Sequence, residues 1–342
     1  MSRRAERPSS PAQDWSEPMS AMPAEASAKQ PGAKYDRLIA AAKGAPSVTT
    51  VVVHPCDESS LRGALESAEA GIIKAILVGP AARIKEVAAK HNLNVSGCEI
   101  VDTPPTEAAA AARGVQLIHE GKGEVLMKGS LHTDEIMRAV TAKEGGLRTA
   151  RRISHVFVMD VPAYDHTVFV TDAAINIAPD LDVKRDIIQN AIDLYNEAGF
   201  GTTPRVAILS AVETVTSKIP STIEAAALCK MADRKQITGA LLDGPLAFDN
   251  AIDMDAARIK GIKSEVAGRA QILVVPDLES GNMLAKNLAY FAKADGAGIV
   301  LGARVPVVLT SRADSARSRM ASAAVAALHA DARRRKAPIA AA

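Results

Sequence analysis

The sequence predicts an α/β protein built from two three-layer α/β/α domains with mostly parallel sheets. Short β-branched runs alternate with amphipathic segments of helix length, the pattern of parallel strands covered by helices on both faces. The hydrophobic content of 48% comes mainly from Ala, Val, Ile and Leu, with aromatic residues at 3%, as expected for aliphatic strands buried on both sides. At roughly 150 residues per domain, the 342 residues have room for two domains.

The predicted elements follow one another along the chain. Each predicted strand is a short aliphatic run: Thr49–His54, Ile73–Val78, Glu99–Val101, Val125–Lys128, Val206–Leu209, Leu273–Val275, Ile299–Leu301 and Val307–Leu309. Predicted helices fill most of the intervals, among them Ser59–Ala70 after Asp57, Ala81–His91 and Asp182–Ala198. Gly199 ends the last of these, as expected of a glycine just past a helix.

One stretch in the middle of the chain breaks this alternation. Arg152–Val161 and Thr167–Thr171 are extended runs joined by Pro162–Asp165, which is too short for a crossover helix. The two runs should therefore form an antiparallel hairpin. The break, near residue 148, is the predicted domain boundary.

The two ends of the chain are predicted to lie outside the folded domains. Residues 1–34 are rich in Pro, Ser and Ala and cannot bury enough apolar surface to fold. Residues 333–342 read as a basic, Ala-rich and solvated tail.

Composition excludes several classes of function. The 41 basic and 39 acidic residues nearly cancel, so neither nucleic acid nor a membrane surface is an expected partner. No apolar run reaches the roughly 18 residues of a membrane span, and no targeting signal is evident. Cys56, Cys98 and Cys229 lie far apart, which argues against a zinc cluster or a disulfide framework. A cytoplasmic protein without a metal or a bound cofactor is predicted.

The generic phosphate-binding motifs are incomplete in this sequence. Gly121-Lys122-Gly123 lacks the third glycine of a dinucleotide-binding loop, and Lys128-Gly129-Ser130 lacks the upstream glycine of a P-loop. A Rossmann dehydrogenase or a P-loop kinase is therefore disfavoured.

The strongest functional segment is the turn after the last predicted strand. It brings Ser311 and Arg312 together and is followed by Asp314 and Ser315 at the opening of a helix. Such a turn offers backbone N–H groups, a positive helix end and a guanidinium to a phosphate. Helix capping by Ser311 or Asp314 is the simpler alternative, but capping does not require Arg312.

A second loop follows Leu273–Val275 and opens a helix. Asp277 and Asn282 are expected to orient a ligand, and Gly281 to allow close backbone approach. Lys286 lies on the same helix. Capping of the helix explains Ser280 and leaves Asp277 and Asn282 to be explained by function.

Two further segments combine small and charged residues. Asp243 lies in Leu241–Leu246, whose Gly-Pro pair is typical of a turn. Lys128 and Ser130 follow a predicted strand and lead to a helix that carries Arg138.

Taken together, these four segments resemble the phosphate acetyl/butyryltransferase family, and Leu242–Ser315 resembles its phosphate butyryltransferase branch in particular. The matching runs, in the family's order and spacing, are Asp243–Ala247, Lys263–Gly268, Pro276–Asn282 and Thr310–Ser315. The resemblance extends over roughly residues 45 to 330. It implies a reversible exchange of an acyl group between coenzyme A (CoA) and inorganic phosphate, catalysed by a homodimer.

The resemblance also implies a fold like that of isocitrate and isopropylmalate dehydrogenases, with the active site in a cleft between two domains. Domain one would be discontinuous, made of residues 35–147 and 298–332, and domain two would be residues 148–297.

By the same resemblance, Arg312 and Arg138 bind the phosphate or acyl phosphate, and Ser311 donates a hydrogen bond to the developing oxyanion. The acetyl branch has a catalytic aspartate where this chain has Ser318, so Asp314 is the candidate base. Lys128, Ser130, Asp243, Asp277, Gly281, Asn282 and Lys286 are the remaining candidates for binding phosphate or CoA.

Two alternatives stay open at this stage. One is an NAD(P)-dependent decarboxylating dehydrogenase of similar fold, although its metal-binding carboxylates are not evident. The other is a relative without catalytic activity that binds CoA or acyl phosphate.

Overall fold

The computed structural model describes residues 32–310 and 314–336, which form alternating strands and helices. The strands are β1 Val48–Val53, β2 Ile73–Gly79, β3 Glu99–Asp102, β4 Val125–Lys128, β5 Ser154–Asp160, β6 Val168–Thr171, β7 Arg205–Leu209, β8 Leu241–Leu246, β9 Ile272–Val274, β10 Asp295–Leu301 and β11 Val307–Val308. The helices are α1 Ala33–Gly44, α2 Glu58–Glu69, α3 Ala81–Lys90, α4 Glu107–His119, α5 Thr133–Thr141, α6 Leu181–Glu197, α7 Pro220–Asp233, α8 Phe248–Ile252, α9 Met254–Ile259, α10 Leu278–Tyr290 and α11 Ala316–Arg334.

These strands form one large, mostly parallel sheet in the order β3-β2-β1-β4-β11-β10-β5-β6-β9-β7-β8. Pairing is parallel from β3 to β11 and again from β6 to β8. In the middle, β10 is antiparallel to both of its neighbours, and β5 is antiparallel to β6. As a result, β1, β4 and β11 end at one edge of the sheet, whereas β6, β9 and β7 end at the opposite edge.

The two faces of the sheet are covered differently. One face carries a continuous core under α1, α2, α3, α6, α7 and α11. The other face carries two separate cores, one under α4 and α5 and one under α8, α9 and α10. Between those two cores the central strands present His155, Phe157 and Gly298, which we call the central floor; Gly298 pairs directly with Phe157 and His155 lies on the same side two residues away.

The predicted strands and the hairpin are confirmed, with ends shifted by a few residues. Ser154–Asp160 and Val168–Thr171 pair antiparallel, as the short connection required. Asp57 caps α2 by accepting a hydrogen bond from the Ser60 N–H at 2.8 Å, and Gly199 follows α6 with φ 80°. The prediction of a turn over Leu241–Leu246 is wrong. This segment is strand β8, parallel to β7, because an edge strand tolerates Pro245.

The predicted limits of the two terminal segments also need correction. Lys34, assigned to a disordered leader, lies in α1 and is buried, and its Nζ donates to Asp160 Oδ1 at 2.9 Å. Arg334, assigned to a solvated tail, lies in α11 and its Nη2 donates to Glu124 Oε2 at 2.6 Å. Residues 1–31 and 337–342 lie outside the described residues. Among the described helices, none combines the length and the apolar character needed to cross a bilayer.

Candidate active site

Two buried cationic side chains meet at Thr310, directly after β11. Lys128 ends β4, is 6% exposed, and its Nζ donates to the Thr310 carbonyl oxygen at 3.3 Å. Arg319, on α11, is 7% exposed and its Nη1 donates to Thr310 Oγ1 at 3.2 Å. We call Leu309 and Thr310 the Thr310 turn. It is thus fixed from two sides by groups that carry positive charge.

Ser311 and Arg312, the two residues on which the sequence argument placed most weight, lie outside the described residues, which resume at Asp314. Asp314 lines a groove of about 400 Å³ between the first turns of α2 and α11, together with Arg319. Ser315 caps α11, because its Oγ accepts a hydrogen bond from the Ser318 N–H at 3.1 Å. Capping of α11 is therefore accounted for by Ser315.

The segment after β4 is tightly packed on the end of β1. A Cβ on Gly129 would lie 2.4 Å from the Val53 carbonyl oxygen and 2.6 Å from that of His54, so only glycine fits. Ser130 Oγ donates to the His54 carbonyl oxygen at 2.8 Å and accepts from the Cys56 N–H at 3.2 Å. Ser130 therefore holds two segments together at this edge.

The thiol closest to this edge is unsuited to act as a nucleophile. Burial raises the pKa of Cys56 to about 11, so the thiol stays protonated near neutral pH. Burial also lowers the pKa of His54, whose Nδ1 lies 3.1 Å from Ser130 Oγ. The Cys56 thiol and the His54 imidazole are therefore uncharged near neutral pH.

His155, on the central floor, was missed by the sequence argument. It is 2% exposed, and among the described residues its Nδ1 has no hydrogen-bond partner. Burial lowers the pKa of its imidazole to about 4, although Asp172 acts in the opposite direction. A Cβ on Gly298 would lie 3.0 Å from His155 Nε2 and 3.1 Å from the Leu309 carbonyl oxygen. A neutral imidazole therefore lies next to the Thr310 turn. The sequence signal that could have identified His155 is a polar residue at an inward-facing position of a predicted strand.

The loop after β9 has a structural explanation that the sequence argument underestimated. Asp277 caps α10, because its Oδ1 accepts hydrogen bonds from the Ser280 N–H and the Ser280 hydroxyl, both at 2.8 Å. Capping thus accounts for Asp277 as well as Ser280, contrary to expectation.

The other predicted residues of α10 face the protein or the solvent. A Cβ on Gly281 would lie 2.7 Å from Val275 Cγ2 and 3.0 Å from Ala173 Cβ, so the close approach at Gly281 is to the protein itself. Asn282 Nδ2 donates to the Ala173 carbonyl oxygen at 3.3 Å. Lys286 is exposed.

Asp243 lies far from the cluster around Thr310, and Arg138 is paired on its own helix. Asp243 lies on β8, the last strand of the sheet, seven strands from β4 and so about 34 Å away at ~4.8 Å per strand. Its Oδ1 accepts from the Gly244 N–H at 2.8 Å. Arg138 is exposed on α5 and its Nη1 donates to Glu135 Oε1 at 2.7 Å on the same helix.

The predicted residues thus fall into two groups. Lys128, Ser130 and Asp314 belong to the edge where β4 and β11 end, and Asp277 and Asn282 belong to the opposite edge, where β9 ends. Within residues 32–310 and 314–336, no three His, Cys, Asp or Glu side chains are grouped as a metal site would require.

Comparisons with known proteins agree on one family. The family model described as "Phosphate acetyl/butaryl transferase" matches residues 105–327. A phosphate acetyltransferase of Rhizobium meliloti is 70% identical over 308 residues, which cover 90% of this chain and 96% of that protein. A phosphate butyryltransferase of Clostridium beijerinckii is 42% identical over 86% of this chain and 97% of its own length. Among solved structures, a branched-chain phosphotransacylase of Enterococcus faecalis V583 matches with a TM-score of 0.72 at 29% identity, covering 83% of this chain and 99% of that one.

Proposed function

The chain belongs to the phosphate acetyl/butyryltransferase family, and from that premise we propose that it transfers an acetyl group reversibly between CoA and inorganic phosphate. The choice of acetyl over butyryl rests on the relative at 70% identity, which is named a phosphate acetyltransferase. The observation that carries the proposal is the pair of buried cations, Lys128 and Arg319, that hold Thr310 immediately before Ser311 and Arg312.

The reaction needs little more than positive charge and a donor at one place. A phosphate oxygen attacks the thioester carbonyl carbon of acetyl-CoA and forms a tetrahedral intermediate with a negatively charged oxygen. The C–S bond then breaks, CoA leaves as the thiolate, and the thiolate takes up the proton that the phosphate gives up. Arg312 holds the phosphate, Arg138 assists it, and the Ser311 hydroxyl donates to the developing oxyanion.

Four of the described groups fit this arrangement. Lys128 and Arg319 place two cations at Thr310, which favours a dianionic substrate at the next residues of the chain. Asp314 follows the turn and is our candidate for the group that accepts the thiol proton when acetyl phosphate is converted back. The neutral imidazole of His155 adds no charge that would oppose the phosphate.

We propose that the remaining predicted residues bind the substrates from the two halves of the sheet. We propose that residues 35–147 with 298–332 form one domain and residues 148–297 the other, with the substrates in a cleft between them. The fold would then be like that of isocitrate and isopropylmalate dehydrogenases. Support comes from the strand order, in which β1–β4, β11 and most of β10 form one continuous block and β5–β9 form the other. A homodimer located in the cytoplasm completes the proposal; sedimentation of the purified chain and fractionation of the host cell test these two points.

The test of function is release of the CoA thiol from acetyl-CoA in the presence of phosphate, with acetyl phosphate measured separately. We expect release that depends on phosphate, that runs in reverse from acetyl phosphate and CoA, and that is faster with acetyl-CoA than with butyryl-CoA. Binding of CoA without any thiol release would contradict the proposal and favour a non-catalytic relative.

A further inference from the structure

Two carboxylates face each other where β5 and β10 pair. Asp160 and Asp295 are directly opposite in this antiparallel pair, and we call them the carboxylate pair. Like charges at directly opposite positions of neighbouring strands destabilise a sheet. Asp160 is 2% exposed, and burial raises the pKa of the Asp295 carboxyl; Arg317 opposes that rise, whereas Asp160 and Asp36 add to it. The carboxylate pair therefore needs cations close by.

Each member of the carboxylate pair has a cation from a different helix. Lys34, in the first turn of α1, places its Nζ 2.9 Å from Asp160 Oδ1. Arg317, in the first turn of α11, places its Nε 3.4 Å from Asp295 Oδ2. The Nη2 of the same arginine lies 2.9 Å from Oδ1 of Asp36, which is on α1. The first turns of α1 and α11 are therefore joined at one point of the sheet.

The start of α1 is itself fixed on β5, so it gives Arg317 a firm support. Tyr35 is fully buried, and its hydroxyl donates to the Val158 carbonyl oxygen at 2.5 Å. The Tyr35 N–H donates to Asp160 Oδ2 at 3.1 Å. Arg317 Nη2 also donates to the Gly32 carbonyl oxygen, directly before α1. The Arg317 guanidinium thus contacts two carboxylates and one backbone carbonyl, all of them on elements other than α11.

The first turn of α11 connects these contacts to the Thr310 turn. Arg319 follows Arg317 by two residues and donates to Thr310 Oγ1 at 3.2 Å. Residues two apart point to nearly opposite sides of a helix, because each residue adds about 100°. Further along α11, Ser322 Oγ accepts from the Gly298 N–H at 3.2 Å, which fixes the helix on β10 at a second point. A shift of this first turn would therefore move Arg319 and its hydrogen bond to Thr310.

We propose that Arg317 is a positioning residue for acetyl transfer. By neutralising Asp295, it fixes the first turn of α11 and, through Arg319, the Thr310 turn. Without the guanidinium, the carboxylates of β5, β10 and α1 repel one another and the start of α11 is no longer held against them. The inference rests on the proposed function, because the two residues after the Thr310 turn are the proposed catalytic pair. Arg317 itself contacts neither substrate in this proposal.

The first experiment measures the kinetics of Arg317→Met, which keeps the aliphatic stem and removes the charge. We expect kcat to fall by about fivefold to tenfold, since a small displacement of reacting groups is costly. KM for acetyl-CoA and KM for phosphate should stay within about twofold of the wild type. Arg317→Lys, which restores the charge, should recover kcat to within about threefold. The midpoint of thermal unfolding should shift by less than about 3 °C, because these ion pairs are partly exposed. A change confined to KM would overturn the inference.

A second change tests whether repulsion is the cause. Asp295→Asn removes the carboxylate that Arg317→Met leaves without its cation, so the double variant should have a kcat at least about threefold above that of Arg317→Met. Arg37→Met is the matched control. Arg37 is exposed on α1 and forms no ion pair with any carboxylate in the described part of the chain, so kcat should stay within about twofold of the wild type. Equal kcat in Arg317→Met and Arg37→Met, or no gain in the double variant, would overturn the inference.

Failure of the proposed function is a different result. If the wild type transfers no acetyl group, the hold of Arg317 on α11 is measured by hydrogen exchange of the backbone amides of residues 307–320, followed by mass spectrometry. Exchange at least about threefold faster in Arg317→Met than in the wild type and in Arg37→Met supports the positioning of this segment by Arg317. Equal exchange in the three proteins overturns it.

Discussion

The Thr310 turn and a cavity of about 480 Å³ at the opposite edge of the sheet, lined by Arg148, Arg151, Arg152 and Arg185 and here called the arginine pocket, both collect positive charge, but they do so in opposite ways. At the Thr310 turn, Lys128 and Arg319 are almost fully buried. They donate hydrogen bonds to the carbonyl oxygen and the hydroxyl oxygen of Thr310, respectively. At the pocket, Arg148 and Arg152 are exposed, and Arg152 is steered by the neutral amide of Asn176. Buried charge fixes geometry and is sensitive to any displacement, whereas exposed charge attracts a ligand and tolerates small shifts.

This difference leads to a division of roles. Changes at the Thr310 turn should lower kcat, because it directly precedes Ser311 and Arg312, which we propose to act on the reacting atoms. Changes at the arginine pocket, at the opposite edge of the sheet, should leave kcat nearly unchanged. The following variants test this division of roles.

The largest effect is expected where the Thr310 side of the sheet is packed most tightly. Gly129→Ala places a Cβ against two backbone carbonyl oxygens at 2.4 and 2.6 Å, so the chain after β4 has to move. We expect a loss of about 3 kcal/mol in the free energy of unfolding, measured by urea denaturation. Gly97→Ala, where a Cβ has no atom within 4 Å, serves as the control. A Gly129→Ala protein as stable as that control would show that this edge is not rigid.

His155, on the floor between the two regions, makes stability depend on pH. Its pKa in the folded protein, about 4, lies below the ordinary value near 6.5, so between these values the unfolded chain binds more protons. Stability is therefore complete above pH 6.5 and is lost as the pH falls toward 4, by roughly 3 kcal/mol for a shift of this size. Denaturation at pH 7 and pH 4.5 should show that loss in the wild type and a smaller one in His155→Gln. Equal losses would mean that His155 is not the responsible group.

Arg319→Met retains the aliphatic stem of the side chain but removes its charge and the hydrogen bond to Thr310 Oγ1. Loss of a hydrogen bond from a charged donor should lower kcat on the order of 10- to 100-fold, with KM for acetyl-CoA nearly unchanged. Steady-state kinetics measure both values. A change confined to KM would erase the distinction between the turn and the pocket.

Replacing Arg138 should have the smallest effect on stability. This variant can therefore separate an effect on structure from an effect on substrate binding. The ion pair between Arg138 and Glu135 is exposed, so Arg138→Ala should change the free energy of unfolding by less than about 0.5 kcal/mol. Any clear increase in KM for phosphate in this variant therefore reports substrate binding. An unchanged KM for phosphate would remove Arg138 from the proposed site.

Much of the fold follows from the sequence because aliphatic runs and caps are local signals. Val125–Lys128 and the hairpin around residues 162–165 were predicted closely for this reason. Leu241–Leu246 was predicted wrongly, since a Gly-Pro pair looks like a turn unless the strand is known to lie at the edge of a sheet. Strand order and strand direction could not be predicted from the sequence either, because they depend on contacts between distant segments.

The site was predicted unevenly for the same reason. Ser311 and Arg312 stand out as neighbours in the chain, whereas the hydrogen bond from Lys128 to Thr310 joins residues 182 positions apart. Asp277 looked functional because its role as a cap for α10 becomes visible only with its hydrogen bonds to Ser280. Arg148 and Arg152 were passed over because an arginine is informative only once its partners are known.

We propose that Ser311 and Arg312 carry out the transfer of an acetyl group to phosphate. The most direct measurement of this role is the rate of phosphate-dependent thiol release from acetyl-CoA by the wild type and by Arg312→Ala. We expect rapid release by the wild type and a rate lower by at least about a hundredfold in the variant, since one lost charge-stabilising donor costs about 2.7–4 kcal/mol. Equal rates for the two proteins, or no release that depends on phosphate, would contradict it.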